Sequence, residues 1–201
     1  MWAKMYQRRF LGSMGQDQTN HDLKQIETAT LGGGCFWCTE AVFAEIRGVI
    51  KVTSGYSGGR LANPTYEQVS TGTTGHAEAV QIVFDPAVVS FREILEVFFA
   101  MHDPTTLNRQ GADVGTQYRS VVFYHTSRQK TTAEKLIKEL NNAKVYDTPI
   151  VTQIQPFTAF YSAEDYHKDY FKRNPKQAYC KLVIAPKLAK LREHYLEKLK
   201  S

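Results

Sequence analysis

Residues 27–46 read ETATLGGGCFWCTEAVFAEI, and a change of pattern inside this stretch decides how the chain is laid out. Glu27 to Leu31 reads as a short strand, and Gly32, Gly33 and Gly34 then let the backbone turn sharply. From Phe36 to Ile46 the pattern is helical and ends near Gly48. Cys35 therefore falls at the start of a helix, with a glycine turn behind it. Outward from here, Val49 to Tyr56 reads as a second strand. A turn-rich excursion follows through Gly58-Gly59, Asn63-Pro64 and Thr71 to Gly75. Ala77 to Phe84 alternates as a strand should, and Asp85-Pro86 stops it.

The second half continues the alternation. Phe91, Ile94, Leu95, Phe98 and Phe99 recur at helical spacing over Phe91 to Met101. Arg119 to Tyr124 is a continuous β-rich run, which suits a strand covered on both faces. Ser127 to Ala143 is a helix, Ile150 to Ile154 a strand, and shorter helices are expected over Ala163 to Phe171 and Pro186 to Leu199. Strands alternating with helices imply an α+β fold with helices packed on a mixed sheet. The opening order strand, helix, strand, strand suits a ferredoxin-like split βαβ core. Loops this long inside a compact domain are usually functional.

With 201 residues, 42% of them hydrophobic, the chain suits one domain with a packed core. Residues 27–201 are taken as that single catalytic domain. Residues 1–26 are an N-terminal extension, and Lys4, Arg8 and Arg9 without acids before Gly15 give it a faintly transit-like character. No run reaches the roughly 18 apolar residues of a membrane helix, so no membrane role is expected. The net charge of +5 invites a nucleic-acid reading. The positive residues are scattered, however, and Lys187 to Lys200 also carries Glu193 and Glu197, as a solvated helix does. No nucleic-acid partner is expected, and a chain acting alone is. Three cysteines cannot all pair within one chain. Free thiols point to a reducing compartment, the cytoplasm, and to redox or catalytic work for at least one of them.

A helix start offers unpaired N–H groups and the positive end of a dipole, which should lower the pKa of the Cys35 thiol. Cys38 lies three positions on, along the helix face shared by Cys35, Val42 and Ile46, so the two sulfurs can meet. A zinc site would need a second Cys pair or closely spaced histidines, and neither is present; no metal or other cofactor is expected. A buried inert cysteine, or a thioredoxin-like Cys-x-x-Cys, are the alternatives. Phe36 and Trp37 are either core residues or an aromatic pocket at the mouth of the nucleophile's helix. On the strand from Ala77, period two places Glu78, Val80, Ile82 and Phe84 on one face, the more apolar one. Desolvation there would raise the Glu78 pKa and keep an acid protonated, unless the side chain turns back to water.

Six short motifs then occur in a fixed order. They are Gly34-Cys35-Phe36-Trp37, Gly55-Tyr56-Ser57-Gly58-Gly59, Asn63-Pro64-Thr65-Tyr66, Gly75-His76-Ala77-Glu78, Gly115-Thr116-Gln117-Tyr118-Arg119-Ser120, and Asn174-Pro175 through Tyr179-Cys180. Together they resemble the A-type peptide methionine sulfoxide reductases, which repair one epimer of oxidised methionine. The resemblance implies reduction of methionine sulfoxide, free or in proteins, with Cys35 attacking the sulfoxide sulfur and ending as a sulfenic acid. Glu78 would protonate the oxygen, Tyr66 and Tyr118 would add hydroxyl donors, and Asp113 would be the second acid of the site. Phe36 and Trp37 would enclose the substrate methyl group, and a thioredoxin-like reductant would recycle the enzyme. Many members carry glycine at the position of Cys38 and two cysteines in a glycine-rich tail, where this chain has Cys180 alone. Residues three apart on a helix have Cα atoms about 5 Å apart, inside the disulfide window. Cys38 is therefore expected to resolve Cys35 first, with Cys180 exchanging afterwards; the family's usual order puts the tail cysteine first. A general thiol–disulfide oxidoreductase using Cys35 and Cys38 is the rival activity, and it has no use for Glu78.

Overall fold

The structure is a computed structural model that describes residues 25–200. The expectations for the N-terminal extension concern residues that lie, but for the last two, outside the described residues. In chain order, β1 (Glu27–Gly33) leads into α1 (Phe36–Ala44) and β2 (Val49–Ser57). A short α2 (Tyr66–Ser70) precedes β3 (Ala77–Phe84), and α3 (Phe91–Met101) follows it. Next come a small ribbon of β4 (Arg109–Gln110) and β5 (Asp113–Val114), then β6 (Ser120–Tyr124) and α4 (Ser127–Asn142). The chain closes through β7 (Gln153–Pro156), β8 (Phe160–Ser162), α5 (Tyr170–Arg173) and α6 (Ala185–His194).

The main sheet is mixed and runs β7-β6-β1-β3-β2-β8, with β6 and β7 parallel and the other neighbours antiparallel. Its central strands are buried on both faces, which explains why β6 reads as a continuous apolar run. On one face Leu31, Val80, Ile82 and Phe84 join Val42, Phe43, Ile94, Leu95 and Phe98 in the principal core. On the other, Ala77, Ala79, Val121 and Phe123 are covered by Phe157 and Phe160. The α+β reading of helices packed on a mixed sheet therefore holds.

Local chemistry marks the helix starts. Thr65 with Gln68 and Ser90 with Glu93 each form a capping box, so two orphan N–H groups are satisfied at once. Gly34 has φ +87°, and a Cβ there would meet Gln110 at 2.6 Å. Only glycine makes this reversal from β1 into α1 without strain.

Three boundaries differ from expectation, each because distant partners capture the backbone. The strand expected at Ile150 begins only at Gln153, since Val151 N–H bonds the Pro104 carbonyl and Ile150 N–H bonds Asn141. The helix expected over 163–171 is instead a single 3₁₀ turn, Asp165–His167, then a left-handed Asp169, then α5. The last helix is shorter and begins with a π turn, Cys180–Ile184, that brings Cys180 into the principal core.

Candidate active site

Cys35 is the N-cap residue of α1, and Glu78 opens β3 beside the end of β1. The antiparallel register that sets Leu31 opposite Val80 carries Glu78 to this edge. Its Oε2 accepts the N–H of Phe36 at 3.0 Å, so the carboxyl is fastened to the residue next to the thiol. Glu78 is only 2% exposed. Burial pushes its pKa up to about 8, and the charges of Asp113 and Cys38 push the same way against the Phe36 bond. At neutral pH the group is chiefly a protonated acid. The strand-face reading of Glu78 placed it correctly.

The helix-start expectation for Cys35 fares differently. Cys35 is 8% exposed, and burial raises its thiol well above the usual value. The neighbouring Cys38 and Glu78 raise it further, and only a hydrogen bond from Tyr179 opposes them. Cys38 is the lower of the pair, at about 7. A hydrogen bond from Cys35 lowers it most, and Lys187 and Tyr179 help, against burial and Asp113. Burial and the neighbouring acidic groups set the direction for Cys35, while the influence of a helix terminus fades within one turn. All three thiols are free and buried. Burial raises the Cys180 thiol, and the charge of Cys38 adds to it.

Around the thiol stands a wall of aromatic rings. Phe36 is stacked against Tyr66 at 6.4 Å and tilted against Trp37 at 6.2 Å. Trp37 lies flat on Tyr170, with ring centroids 3.7 Å apart and planes 6° apart, and meets Tyr179 edge-on. Tyr66 opens α2, and Tyr118 ends a 3₁₀ turn, Thr116–Tyr118. Both hydroxyls are held protonated, by burial first and then by the charge of Glu78. Asp113, on β5, accepts a 2.8 Å hydrogen bond from the Tyr179 hydroxyl, which also lies 3.9 Å from Cys38 Sγ. Phe36, Trp37, Cys38 and Glu78 thus cluster around Cys35, Tyr66 and Tyr118 feel its charge, and Asp113 and Cys180 join the group through Tyr179 and Cys38.

Five residues escaped the sequence reading: Glu40, Glu164, His167, Tyr170 and Tyr179. Glu164 accepts both the Tyr56 hydroxyl and the Tyr66 N–H at 2.8 Å. His167 accepts the Trp37 indole N–H at 3.0 Å. Nothing in local periodicity points to them. Tyr179 alone carried a signal, as the neighbour of Cys180 in the last motif.

This arrangement holds a protonated carboxyl, two hydroxyl donors and a thiol against an aromatic wall. It suits a small apolar group attached to a polar bond that must accept a proton. The comparisons agree. A family model, peptide methionine sulfoxide reductase, matches residues 27–199. A peptide methionine sulfoxide reductase MsrA of Haloquadratum walsbyi is 59% identical over 173 residues, covering 86% of this chain and 98% of the relative. Among solved structures, the reduced form of Mxr1 from Saccharomyces cerevisiae matches with a TM-score of 0.72 and 34% identity, over 80% of this chain and 92% of that one. Mxr1 in complex with Trx2 matches with a TM-score of 0.51 and 25% identity, over 76% of this chain and 89% of that one. With a family model spanning nearly all the described residues and a relative this similar, the chain belongs to the peptide methionine sulfoxide reductase family.

Proposed function

We propose that this chain reduces the S epimer of methionine sulfoxide, free or in proteins, with Cys35 as nucleophile and Glu78 as acid. The observation that carries the assignment is the buried carboxyl of Glu78, hydrogen-bonded to the N–H of Phe36 beside Cys35, where burial raises its pKa to about 8. A sulfoxide oxygen leaves sulfur only once protonated, so acid and nucleophile must face the same S–O bond. The Cys35 sulfur attacks the sulfoxide sulfur as Glu78 protonates the oxygen, with Tyr66, Tyr118 and Asp113 completing the polar side of the site. Phe36 and Trp37 enclose the methyl group. The hydroxyl then passes from the substrate sulfur to the Cys35 sulfur as the S–O bond and the transient S–S bond break. Methionine leaves with its thioether restored, and Cys35 is left as a sulfenic acid. The raised Cys35 thiol is compatible with this order, because the proton it gives up replaces the one Glu78 delivers.

Cys38 then attacks the sulfenic acid, releasing water and forming a Cys35–Cys38 disulfide, and Cys180 exchanges onto it. The interaction of Cys38 with both other thiols and its own lowered pKa support this sequence. A thioredoxin-like dithiol reduces the final disulfide, a step supported by the likeness to Mxr1 in complex with Trx2. General thiol–disulfide exchange would leave Glu78 idle. Residues 27–201 act as one catalytic domain, and three unpaired thiols favour the cytoplasm. The core falls in the ferredoxin-like class: the order β6-β1-β3-β2, with β3 between β1 and β2, supports a split βαβ unit. A single turnover on each sulfoxide epimer tests the assignment. One equivalent of methionine should form from the S epimer alone, and turnover of both epimers at equal rates would refute it.

A further inference from the structure

Glu40 is a carboxylate that neither the motifs nor the chemistry above employ, yet it is 6% exposed on α1. Burial raises its pKa to about 7, and the backbone N–H groups of Asp169 and Tyr170 beside its carboxyl pull the other way. Those two residues begin α5, where Asp169 takes a left-handed conformation at φ 49° and offers no side-chain cap. The first N–H groups of any helix lack partners within it, and Glu40 stands against those of α5 from another element. Glu40 also stands three residues from Trp37, the spacing that makes neighbours on one helix face. The segment it holds returns two side chains to that tryptophan. Tyr170 lies flat on the indole, and His167 Nδ1 accepts the indole N–H. A ring nitrogen accepts only when unprotonated, and burial keeps His167, 1% exposed, in that neutral state.

We infer that Glu40 is a positioning residue, which fixes the ring of Trp37 in the substrate wall by anchoring Asp169 and Tyr170. The tail segment 167–170 and the helix of Cys35 are thus tied together on the same side chain that borders the substrate. Binding of the sulfoxide depends on this tie more than the chemical step does, because Glu40 touches neither Cys35 nor Glu78. The inference rests on the reading of Trp37 as a wall of the substrate site.

The chain holds two tryptophans, Trp2 and Trp37. In a Trp2→Phe background, Trp37 alone reports its surroundings by fluorescence. Glu40→Leu should shift Trp37 emission to longer wavelength and raise KM for methionine sulfoxide about tenfold, with the saturating single-turnover rate changed about twofold or less. Glu40→Gln, whose amide oxygen still accepts, should restore both. A folded Glu40→Leu with parental emission and KM overturns the inference. Should that variant not fold, Glu40→Asp, shorter by one methylene, should give a partial shift, and parental emission there overturns it equally. Trp37→Phe separates the two readings. An unchanged KM in that variant refutes Trp37 as a substrate wall, while the emission of the Glu40 variants still decides the positioning role.

Discussion

Cys35 and Cys38 are one helical turn apart on α1, and their thiols behave in opposite ways. Cys35 faces Glu78 and the aromatic wall, where burial and neighbouring acidic groups hold its proton in place. Cys38 adjoins Cys35 and Tyr179 and also lines a small cavity with Gly33, Met101, His102 and Lys187. There the Cys35 thiol, Lys187 and Tyr179 favour the thiolate. Position on a helix therefore sets neither value; the groups packed against each sulfur do. The two halves of the proposed cycle call for this contrast. The first needs an acid held neutral beside the nucleophile, and the second needs a ready thiolate to form a disulfide.

Removing the nucleophile breaks the comparison most severely. Cys35→Ser should form no methionine in a single turnover without reductant, whereas Cys38→Ser and Cys180→Ser still should. Methionine appearing at the wild-type rate from Cys35→Ser would end the proposed mechanism.

Glu78→Gln comes next. It preserves shape but removes the proton, so the reduction step should slow by about a hundredfold or more. In the wild type the same step should fall as pH rises through about 8, where Glu78 loses its proton. Stability follows the same sign. The folded pKa lies above the ordinary 4.5, so the folded state favours the protonated form. That stability is complete below pH 4.5 and is lost progressively as pH rises to about 8. Glu78→Gln escapes the loss and should gain on wild type by a few kcal/mol between those limits, with a plateau above. Denaturant unfolding across pH checks this; a constant difference between the two proteins means Glu78 ionises normally.

The sequence made this end of the sheet legible because strand periodicity and register are local. Glu78 could be assigned to the core face from four alternating residues, and the glycine turn placed Cys35 at the head of α1. What escaped was settled by distant partners. Segment 163–171 has helical composition, but Glu164 is taken by Tyr56 and Tyr66, and His167 by Trp37. These bonds span from 98 to 130 residues, and no local pattern encodes them. The Cys35 pKa was misjudged for a related reason. A helix start is visible in sequence, whereas the degree of burial depends on the whole fold.

The order of the thiols gives a finer break. Cys180 is buried and feels the charge of Cys38, and the Cys35–Cys38 pair does not need it, so its loss should spare the first disulfide. After one turnover, peptide mapping of Cys180→Ser should find Cys35 joined to Cys38, with recycling by thioredoxin slowed. A variant that stalls instead as a sulfenic acid makes Cys180 the resolving thiol and reverses the order.

The smallest effect tests the cause of the contrast itself. Lys187 sits on α6 and shares the cavity behind Cys38, and its positive charge favours the thiolate there. Lys187→Met keeps the length of the side chain and removes the charge. Loss of a nearby cation raises the pKa of a buried thiol. Starting from about 7, Cys38 would then hold less thiolate at neutral pH. Its alkylation by iodoacetamide at pH 7, mapped by peptide, should slow about fivefold and recover at higher pH. Cys35 alkylation should not slow, because Lys187 acts on Cys38 and a less ionised Cys38 raises Cys35 less. Disulfide formation after a turnover should slow in step with Cys38 while methionine release does not. An unaltered Cys38 pH profile would leave Cys35 and Tyr179 as the groups that lower it, and would confine the contrast to the side of α1 that carries the active site.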